Sequence, residues 1–309
     1  MKKIYILDGN ENWICDRFTR EWRTNNPELC AKNPMEADIL WLLAEWKWDS
    51  IPPSILDEKK VVVTIHHIVP EKFHKEKAFG FSFRDKFVDL YHVPCYKTMM
   101  ALRPLTSKPI EIAPFWVNSD IFFEIENKQT LREKYNIAVD KFVIGSFQRD
   151  TEGHDLKSPK LEKGPDIFCD VVEHLHSKNK NIQVLLAGWR RQYVINRLET
   201  AGIKYYYYEF CDFETLNELY NCLDLYIVSS RCEGGPQAIV ECGITKTPII
   251  STDVGLASRF LPHESIADSD KLLFAEPNVE QTYKNVVEYE IGKYMKKFNN
   301  LIINSEKLL

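Results

Sequence analysis

The chain lacks the features that would mark it as a membrane-spanning, secreted or nucleic-acid-binding protein. None of its apolar runs reaches the roughly 20 residues that a helix needs to span a bilayer, and Met1-Lys2-Lys3 leads into a short strand instead of a signal peptide. The formal net charge is −5, so no basic excess is available to neutralise nucleic-acid phosphates. These absences predict a cytoplasmic protein that does not bind nucleic acid, and they leave peripheral contact with the inner membrane face open.

Two further motifs are missing, and a third is present but in an unsuitable place. The eight scattered cysteines form no C-x-x-C pair, which favours reduced, buried thiols over disulfides or zinc. No Gly-x-Gly-x-x-Gly follows the first predicted strand, which argues against a Rossmann dehydrogenase. Asp268-Ser269-Asp270 matches the Asp-x-Asp pattern of acidic metal-binding motifs, but it stands in a polar loop, which indicates a position on the protein surface. The sequence therefore predicts no metal site.

What is present is a series of short apolar runs separated by helical patterns. A length of 309 residues suggests two domains. Runs of four to seven β-rich residues, each bounded by polar or turn residues, are typical of buried parallel strands. The alternation of these runs with helices predicts an α/β fold. Strands are predicted over residues 4–7, 37–43, 60–65, 88–93, 110–113, 142–146, 183–187, 204–208, 225–228 and 248–251.

The most informative stretch lies between the last two predicted strands. It contains Glu233-Gly234-Gly235-Pro236 followed by an apolar helix that carries Glu241. Pro236 suits the first position of that helix, and Gly235 suits the residue before it. The segment is therefore a strand, a glycine turn, a helix and a strand, which is a right-handed crossover at the carboxyl edge of a parallel sheet.

This arrangement suits a phosphorylated sugar. A helix N-terminus offers unpaired N–H groups and the positive end of the helix dipole, and glycines let the backbone approach an anion closely. Glu241 lies about one turn into the helix, roughly 6 Å or more from the phosphate position, near where a ribose would lie. Glu233 lies in the loop on the other side. Carboxylates beside an anionic ligand make sense where they accept hydrogen bonds from hydroxyl groups.

These residues carry a family resemblance. Glu233, seven intervening residues and Glu241, with the glycine pair between them and ITKTPIISTDVG after them, are similar to the signature of retaining glycosyltransferases of the GT-B fold, in particular glycosyltransferase family 4. The resemblance runs from about residue 144 to 255 and is thin in the N-terminal third. It implies two Rossmann-like β/α/β domains that face each other across a cleft. Residues 1–125, with a returning C-terminal helix at about 290–309, would form the acceptor-side domain, and residues 126–289 the nucleotide-sugar donor domain.

The resemblance also implies roles for residues. Glu233 would contact the donor sugar, Glu241 would hold the ribose, and Arg149 and Lys163 would neutralise the diphosphate. Because the insertion between Arg149 and Lys163 is longer than usual, Lys157 or Lys160 could replace the arginine. Either His66 or His67, after the third strand, would line the pocket. The implied catalytic residues are Glu233, Arg149, Lys163, His66 and His67, and the implied donor-binding residues are Gly234, Gly235, Pro236, Gln237, Ala238, Glu241, Tyr208, Glu209, Phe210, Gly9 and Asn10.

The function implied is retaining transfer of a sugar from a UDP- or GDP-linked donor to a glycan, glycolipid or other acceptor, as in polysaccharide biosynthesis. No metal and no cofactor are implied. A GT-B nucleotide-sugar epimerase and a non-catalytic nucleotide-sugar binding protein remain alternatives. The nucleotide base, the sugar, the acceptor, the linkage and the oligomeric state stay open.

The sequence also predicts the structure or role of three other segments. Residues 71–87 interleave basic residues with phenylalanines, which favours a solvated helix followed by a strand-like segment over a mobile loop that touches an acceptor or a membrane. Trp41, Trp46 and Trp48 bracket a strand end and suit either sugar stacking or core packing. From Gln281 the chain is predicted to be helical to its end.

Overall fold

The computed structural model describes residues 2–11 and 14–304. The last five residues of the predicted C-terminal helix lie outside the described residues. The chain divides into two compact units. Unit 1 takes in the residues up to Trp116 together with those from Ile291 onwards, and unit 2 is Val117–Glu290.

Unit 1 is built on a parallel sheet of five strands in the order β1-β2-β3-β4-β5, counted over the described residues. The strands are short, and β2, β3 and β4 are buried along their whole length, as expected for strands covered on both faces. The strands are β1 (Ile4–Leu7), β2 (Ile39–Leu42), β3 (Lys60–Thr64), β4 (Leu90–Val93) and β5 (Ile110–Ile112), and the helices are α1 (Ile14–Asn25), α2 (Pro53–Glu58), α3 (Lys75–Asp85), α4 (Tyr96–Leu102) and, from the end of the chain, α12 (Ile291–Asn304).

A chain of hydrogen bonds ties the buried sheet of unit 1 together. The indole N–H of Trp41 donates to Thr64 Oγ1 at 2.9 Å, and Thr64 Oγ1 lies 3.0 Å from Nδ1 of His92. His92 Nε2 lies 2.8 Å from the carbonyl oxygen of Ala113, so this nitrogen carries the proton. Burial lowers the pKa of His92 to about 4, which keeps the ring neutral in this network.

Helix α12 returns to unit 1, as predicted. Its apolar stripe, which includes Met295 and Phe298, is buried, and Asn299 accepts a hydrogen bond from the indole N–H of Trp22 at 2.7 Å. Lys60 donates to the carbonyl oxygen of Ile302 at 2.9 Å in the last turn, where a cation interacts favourably with the helix dipole. The C-terminal helix therefore completes the core of the first unit.

Unit 2 contains a parallel sheet of six strands in the order β11-β10-β9-β6-β7-β8, again counted over the described residues. Its first strand, β6, pairs with β7 on one side and with β9 on the other, so the strand order reverses at β6. In open parallel sheets, ligands bind at the carboxyl ends of the strands beside such a reversal. The strands are β6 (Phe142–Ser146), β7 (Ile182–Ala187), β8 (Tyr205–Tyr208), β9 (Leu225–Val228), β10 (Ile249–Thr252) and β11 (Ile266–Ala267), and the helices are α5 (Lys128–Lys134), α6 (Pro165–Lys178), α7 (Gln192–Thr200), α8 (Phe213–Asn221), α9 (Ala238–Ile244), α10 (Ala257–Phe260) and α11 (Val279–Val286).

Three local predictions were wrong. Residues 71–87 contain no strand-like segment, since Lys75–Asp85 is one helix that buries Phe81 and Arg84. The prediction failed because the alternating phenylalanines of this segment obscure its helical spacing. Helix α9 begins at Ala238, two residues after Pro236, because the segment before it forms an irregular turn. The predicted helix from Gln281 is interrupted at Val287–Tyr289, where a 3-10 turn separates α11 from α12.

Candidate functional site

Polar side chains from three strand and helix ends meet at the carboxyl edge of the unit 2 sheet. Gln148 follows β6, Lys163 precedes α6, and Ser230 follows β9. The side-chain amide of Gln148 donates to the carbonyl oxygen of Lys163 at 2.9 Å, and Ser230 Oγ lies 3.3 Å from Gln148 Oε1. The network joins β6 and β9 at the point where the strand order reverses.

The chemical centre of this network is an ion pair between Lys163 and Glu233. The ammonium group of Lys163 donates directly to Glu233 Oε1, and the two side chains are 21% and 10% exposed. Ser230 Oγ lies 3.5 Å from the same carboxylate oxygen. A largely buried carboxylate held in this way is fixed in position and keeps lone pairs for further donors. The structure therefore brings together two residues that are 70 positions apart in the sequence.

The turn that carries Lys163 requires a glycine. Gly164 has φ +60° and stands at the N-terminal end of α6. A Cβ at this position would lie 1.8 Å from the carbonyl oxygen of Ser229, which is backbone and cannot swing away. Gly255 makes a similar close approach on the other side, where a Cβ would lie 2.9 Å from the carbonyl oxygen of Glu233. Both sides of the Lys163–Glu233 pair are therefore packed backbone to backbone.

Glu241 occupies a different setting. It lies on α9, is 4% exposed, and accepts a hydrogen bond from the hydroxyl group of Tyr220 at 2.8 Å. Burial, followed by the charge of Glu241, raises the pKa of Tyr220 well above its ordinary value, so the hydroxyl stays protonated and donates. The tyrosine thus orients the carboxylate for which a ribose contact is predicted.

Arg149 lies beside an exposed tryptophan. Its Nε donates to the carbonyl oxygen of Thr151 at 2.8 Å, and its guanidinium carbon lies 5.4 Å from the ring centroid of Trp189. Next to it, the fully buried ion pair of Arg191 with Asp150, at 2.8 Å, fixes the loops after β6 and β7. Lys157 is exposed on the insertion, and Lys160 lies 3.6 Å from Glu162.

The residues predicted to lie near the base follow β8. The hydroxyl group of Tyr208 donates to the carbonyl oxygen of Tyr135 at 3.0 Å, and its backbone carbonyl accepts from the N–H of Gly188 at 3.1 Å. Glu209 is exposed, and Phe210 is 80% exposed. The ring of Tyr208 is therefore used for packing, whereas Phe210 presents an open aromatic surface. Their contacts with a base stay a prediction.

The first turn of unit 1 already holds an anion of its own. The backbone N–H groups of Asn10 and Glu11 each donate to a carboxylate oxygen of Asp16 at 2.7 Å, and Lys47 donates to the carbonyl oxygen of Gly9. These N–H groups are the ones that would otherwise receive a phosphate. The predicted donor contact of Gly9 and Asn10 stays a prediction, and this carboxylate competes with it.

The two histidines after β3 differ in environment. His66 packs against the ring of Phe115, at 5.9 Å between centroids, and its Nε2 lies 2.9 Å from the carbonyl oxygen of Leu43. Because this nitrogen must be the donor, the lone pair of the neutral ring lies on Nδ1. Burial lowers the pKa of His66, which favours the neutral form. His67 is exposed.

The three tryptophans near β2 also differ in their exposure. Trp41 is fully buried, and Trp48 packs on Phe83 at 5.7 Å between ring centroids. Trp46 is 46% exposed and lies 6.2 Å from the ring of His66. Of the three, Trp46 is the one whose ring is open to a ligand.

All eight cysteines are free thiols, and five of them are buried: Cys15, Cys95, Cys169, Cys222 and Cys242. Within residues 2–11 and 14–304, no group of three or more His, Cys, Asp or Glu side chains is placed to hold a metal ion. In the same residues, no helix combines the length and the apolar character needed to cross a bilayer.

Solved structures share this fold at low sequence identity. HepE of Anabaena, solved with UDP and glucose, is 12% identical and superposes with a TM-score of 0.76 over 98% of this chain and 100% of its own. Sucrose-phosphate synthase of Thermosynechococcus elongatus is 14% identical, with a TM-score of 0.67 over 93% of this chain and 76% of its own. A glycosyltransferase of Rickettsia africae is 13% identical, with a TM-score of 0.66 over 97% of both chains.

The two parallel α/β units and these likenesses define a protein of the GT-B fold. Residues 156–289 match the family model Glycosyl transferases group 1. The matched residues include Lys163, Glu233 and Glu241, whereas Arg149 lies before them. No curated protein sequence matches the chain. The resemblance predicted from the Glu233 and Glu241 spacing is thus confirmed.

Several residues of the site were missed from the sequence. Gln148, Ser230 and Tyr220 hold or orient the predicted residues, and Trp189 and Arg190 lie beside Arg149. Each of these residues lies next to a predicted residue or on a neighbouring element. A single sequence, however, does not show which distant segments will be in contact. Position after the carboxyl end of β6, β7 or β9 was the available signal for all but Tyr220.

Proposed function

We propose that the protein is a retaining glycosyltransferase that moves a sugar from a UDP- or GDP-linked donor to the hydroxyl group of a glycan, a lipid-linked intermediate or another acceptor. The observation that carries this proposal is the Lys163–Glu233 pair at the strand reversal of unit 2, with Glu241 on the helix that follows. The family match over residues 156–289 supports it. The UDP, glucose and UDP-glucose bound to HepE support the choice of donor class.

Glu233 would orient the donor sugar. Its carboxylate is held by Lys163 and Ser230, so it is positioned before the donor arrives and can accept hydrogen bonds from sugar hydroxyl groups. A preorganised group of this kind loses little conformational freedom on binding, and its contribution is largely retained in the transition state. Glu241, oriented by Tyr220, would accept from the ribose hydroxyl groups.

The reaction would break the bond between the anomeric carbon and the diphosphate oxygen. A new bond from the acceptor oxygen would form on the same face of the sugar, and the acceptor proton would pass to the departing phosphate oxygen. Negative charge develops on the diphosphate in this step, and Arg149 and Lys163 would stabilise it in place of a metal ion. His66 would contribute a neutral ring nitrogen, Nδ1, as a hydrogen-bond acceptor for a substrate hydroxyl group.

A thermal-shift experiment tests the donor assignment. The chain would be heated with UDP, GDP, ADP and their sugars, each with and without EDTA. A ligand that binds only the folded protein raises the unfolding temperature, so a shift selective for one base that EDTA does not remove is expected. A shift that EDTA abolishes would contradict metal independence, and no shift with any nucleotide would contradict the donor site.

The same preparations separate the proposed activity from its two alternatives. An epimerase would change the configuration of the donor sugar without an acceptor, which ¹H NMR of the donor shows directly. A non-catalytic binding protein would shift with the nucleotide but leave the nucleotide sugar intact. Release of nucleoside diphosphate together with a new glycosidic product is expected only for a transferase.

A further inference from the structure

Two guanidinium groups converge on Trp189 at the carboxyl edge of the unit 2 sheet. The guanidinium carbon of Arg149 lies 5.4 Å from the Trp189 ring centroid, and that of Arg190 lies 5.3 Å from it. Trp189 is 44% exposed, so the group is open to a ligand. Arg149 follows β6 and Arg190 follows β7, the neighbouring strand. Their positions place two positive charges around one indole ring, at the sheet edge where ligands of such sheets bind.

The positive charge of this pair is not compensated by an acidic partner. Among the described residues, neither Arg149 nor Arg190 lies within ion-pair distance of a carboxylate, although Glu152 and Glu162 act on Arg149 from further away. Burial, followed by the charge of Arg190, lowers the pKa of Arg149, as expected for two like charges held together. Arg190 Nε is buried and has no hydrogen-bond partner.

Three other cations of unit 2 are neutralised. Lys163 is paired with Glu233, Arg191 is paired with Asp150 in the core, and Arg231 makes two bonds to Asp166 at 2.7 and 2.6 Å. An ion pair presents little net charge to a ligand, whereas an uncompensated pair of guanidinium groups attracts an anion. Arg149 and Arg190 would therefore add an uncompensated attraction for a donor diphosphate to the contribution of Lys163.

The backbone holds Arg190 in place for such a role. Its φ is +63°, in the left-handed region that is costly for a residue with a side chain. Its carbonyl oxygen accepts from the N–H of Asp150 at 3.1 Å and from the N–H and hydroxyl of Thr151 at 3.2 and 2.9 Å. Its guanidinium donates to the carbonyl oxygen of Gly153 on the insertion. Strain that is held by this many bonds is typical of functional positions.

We propose that Arg190 binds the phosphate groups of a nucleoside diphosphate together with Arg149, and that Trp189 positions both guanidinium groups through its ring. This inference rests on the proposed function and extends it, since it assigns part of the diphosphate charge to a residue outside the signature. It also gives the long insertion after Arg149 a role, because Gly153 and Thr151 of that insertion fix Arg190.

The test compares Arg190→Gln with Arg231→Gln in the full chain. Both changes remove one guanidinium group, but that of Arg231 is already neutralised by Asp166 and its side chain is 42% exposed. Titration calorimetry would measure the Kd of UDP, GDP, uridine and guanosine at low and at physiological salt. Arg190→Gln is expected to weaken diphosphate binding about 10- to 100-fold, as for loss of a charged hydrogen bond, and to leave nucleoside binding unchanged.

Two further readouts distinguish phosphate binding from a structural role. Arg190→Lys keeps the charge and should restore part of the lost diphosphate affinity, and the salt dependence of diphosphate binding should decrease in Arg190→Gln because one screened attraction is gone. Equal diphosphate affinity in wild type and Arg190→Gln would overturn the inference alone, as would a parallel loss of nucleoside binding. Failure of the wild type to bind UDP or GDP would overturn the proposed function as well.

Discussion

The turn before α6 provides a quantitative test of how the Lys163–Glu233 pair is positioned. Replacing Gly164 with alanine places a Cβ 1.8 Å from the carbonyl oxygen of Ser229, far inside contact distance. Because Gly164 has φ +60°, alanine also adopts a left-handed conformation there, at a cost of about 1–2 kcal/mol. Relieving the clash requires a backbone shift, and overpacking of this kind costs about 1–3 kcal/mol more. The expected total is roughly 2–5 kcal/mol.

A matched control isolates the close approach from the backbone conformation. Gly202 has φ +66° but no atom within 4 Å of an added Cβ, so Gly202→Ala bears only the conformational cost of about 1–2 kcal/mol. Urea unfolding followed by circular dichroism would give both free energies of unfolding. Gly164→Ala should be the less stable variant by more than about 1 kcal/mol and should also lose nucleotide affinity, since Lys163 moves with the turn. Equal destabilisation of the two variants would refute the reasoning.

Three other predictions concern the site and its surroundings. Glu241→Ala should weaken nucleotide binding in calorimetry, whereas Glu233→Ala should reduce turnover more than nucleotide affinity; equal nucleotide binding by wild type and Glu241→Ala contradicts the first assignment. Protonation of His92 is disfavoured in the folded state, with a pKa of about 4 against about 6.5 when unfolded. The free energy of unfolding should therefore fall by up to about 3 kcal/mol as the pH drops from 6.5 to 4, and it should fall less in His92→Gln. A free energy of unfolding in the wild type that does not change over this pH range would contradict the prediction. Trp46→Ala should raise the KM for the acceptor and leave that for the donor unchanged, and the reverse result would exclude acceptor stacking.

Most strands were predictable because buried parallel strands are short apolar runs bounded by turn residues. Residues 4–7, 142–146 and 225–228 were predicted with the bounds that the structure shows. The two-residue strand Ile266–Ala267 was missed, since a segment of that length carries no pattern. The helix at Lys75–Asp85 was partly misread because phenylalanines at every second position resemble a strand, although the inward-facing Phe81 and Arg84 follow a helical spacing.

The candidate site was predictable only where a local pattern exists. The glycine turn and the spacing of Glu233 and Glu241 are visible in the sequence, and the family match confirms the resemblance drawn from them. The partners of the predicted site residues come from distant segments. Tyr220 is the partner of Glu241, and Arg190 lies with Arg149 at the ring of Trp189. Such contacts depend on how strands and helices pack, which one sequence does not reveal.

The central claim, glycosyl transfer from a nucleotide diphosphate sugar, is tested most directly by measuring release of nucleoside diphosphate from UDP- and GDP-linked sugars. The wild type should release UDP or GDP from one donor class, more rapidly with an acceptor, and ¹H NMR should show a product with the anomeric configuration of the donor. Glu233→Gln should lower the rate about 100-fold, the effect typical of removing one preorganised polar group. No release from any donor, or equal release by the variant, would contradict the account.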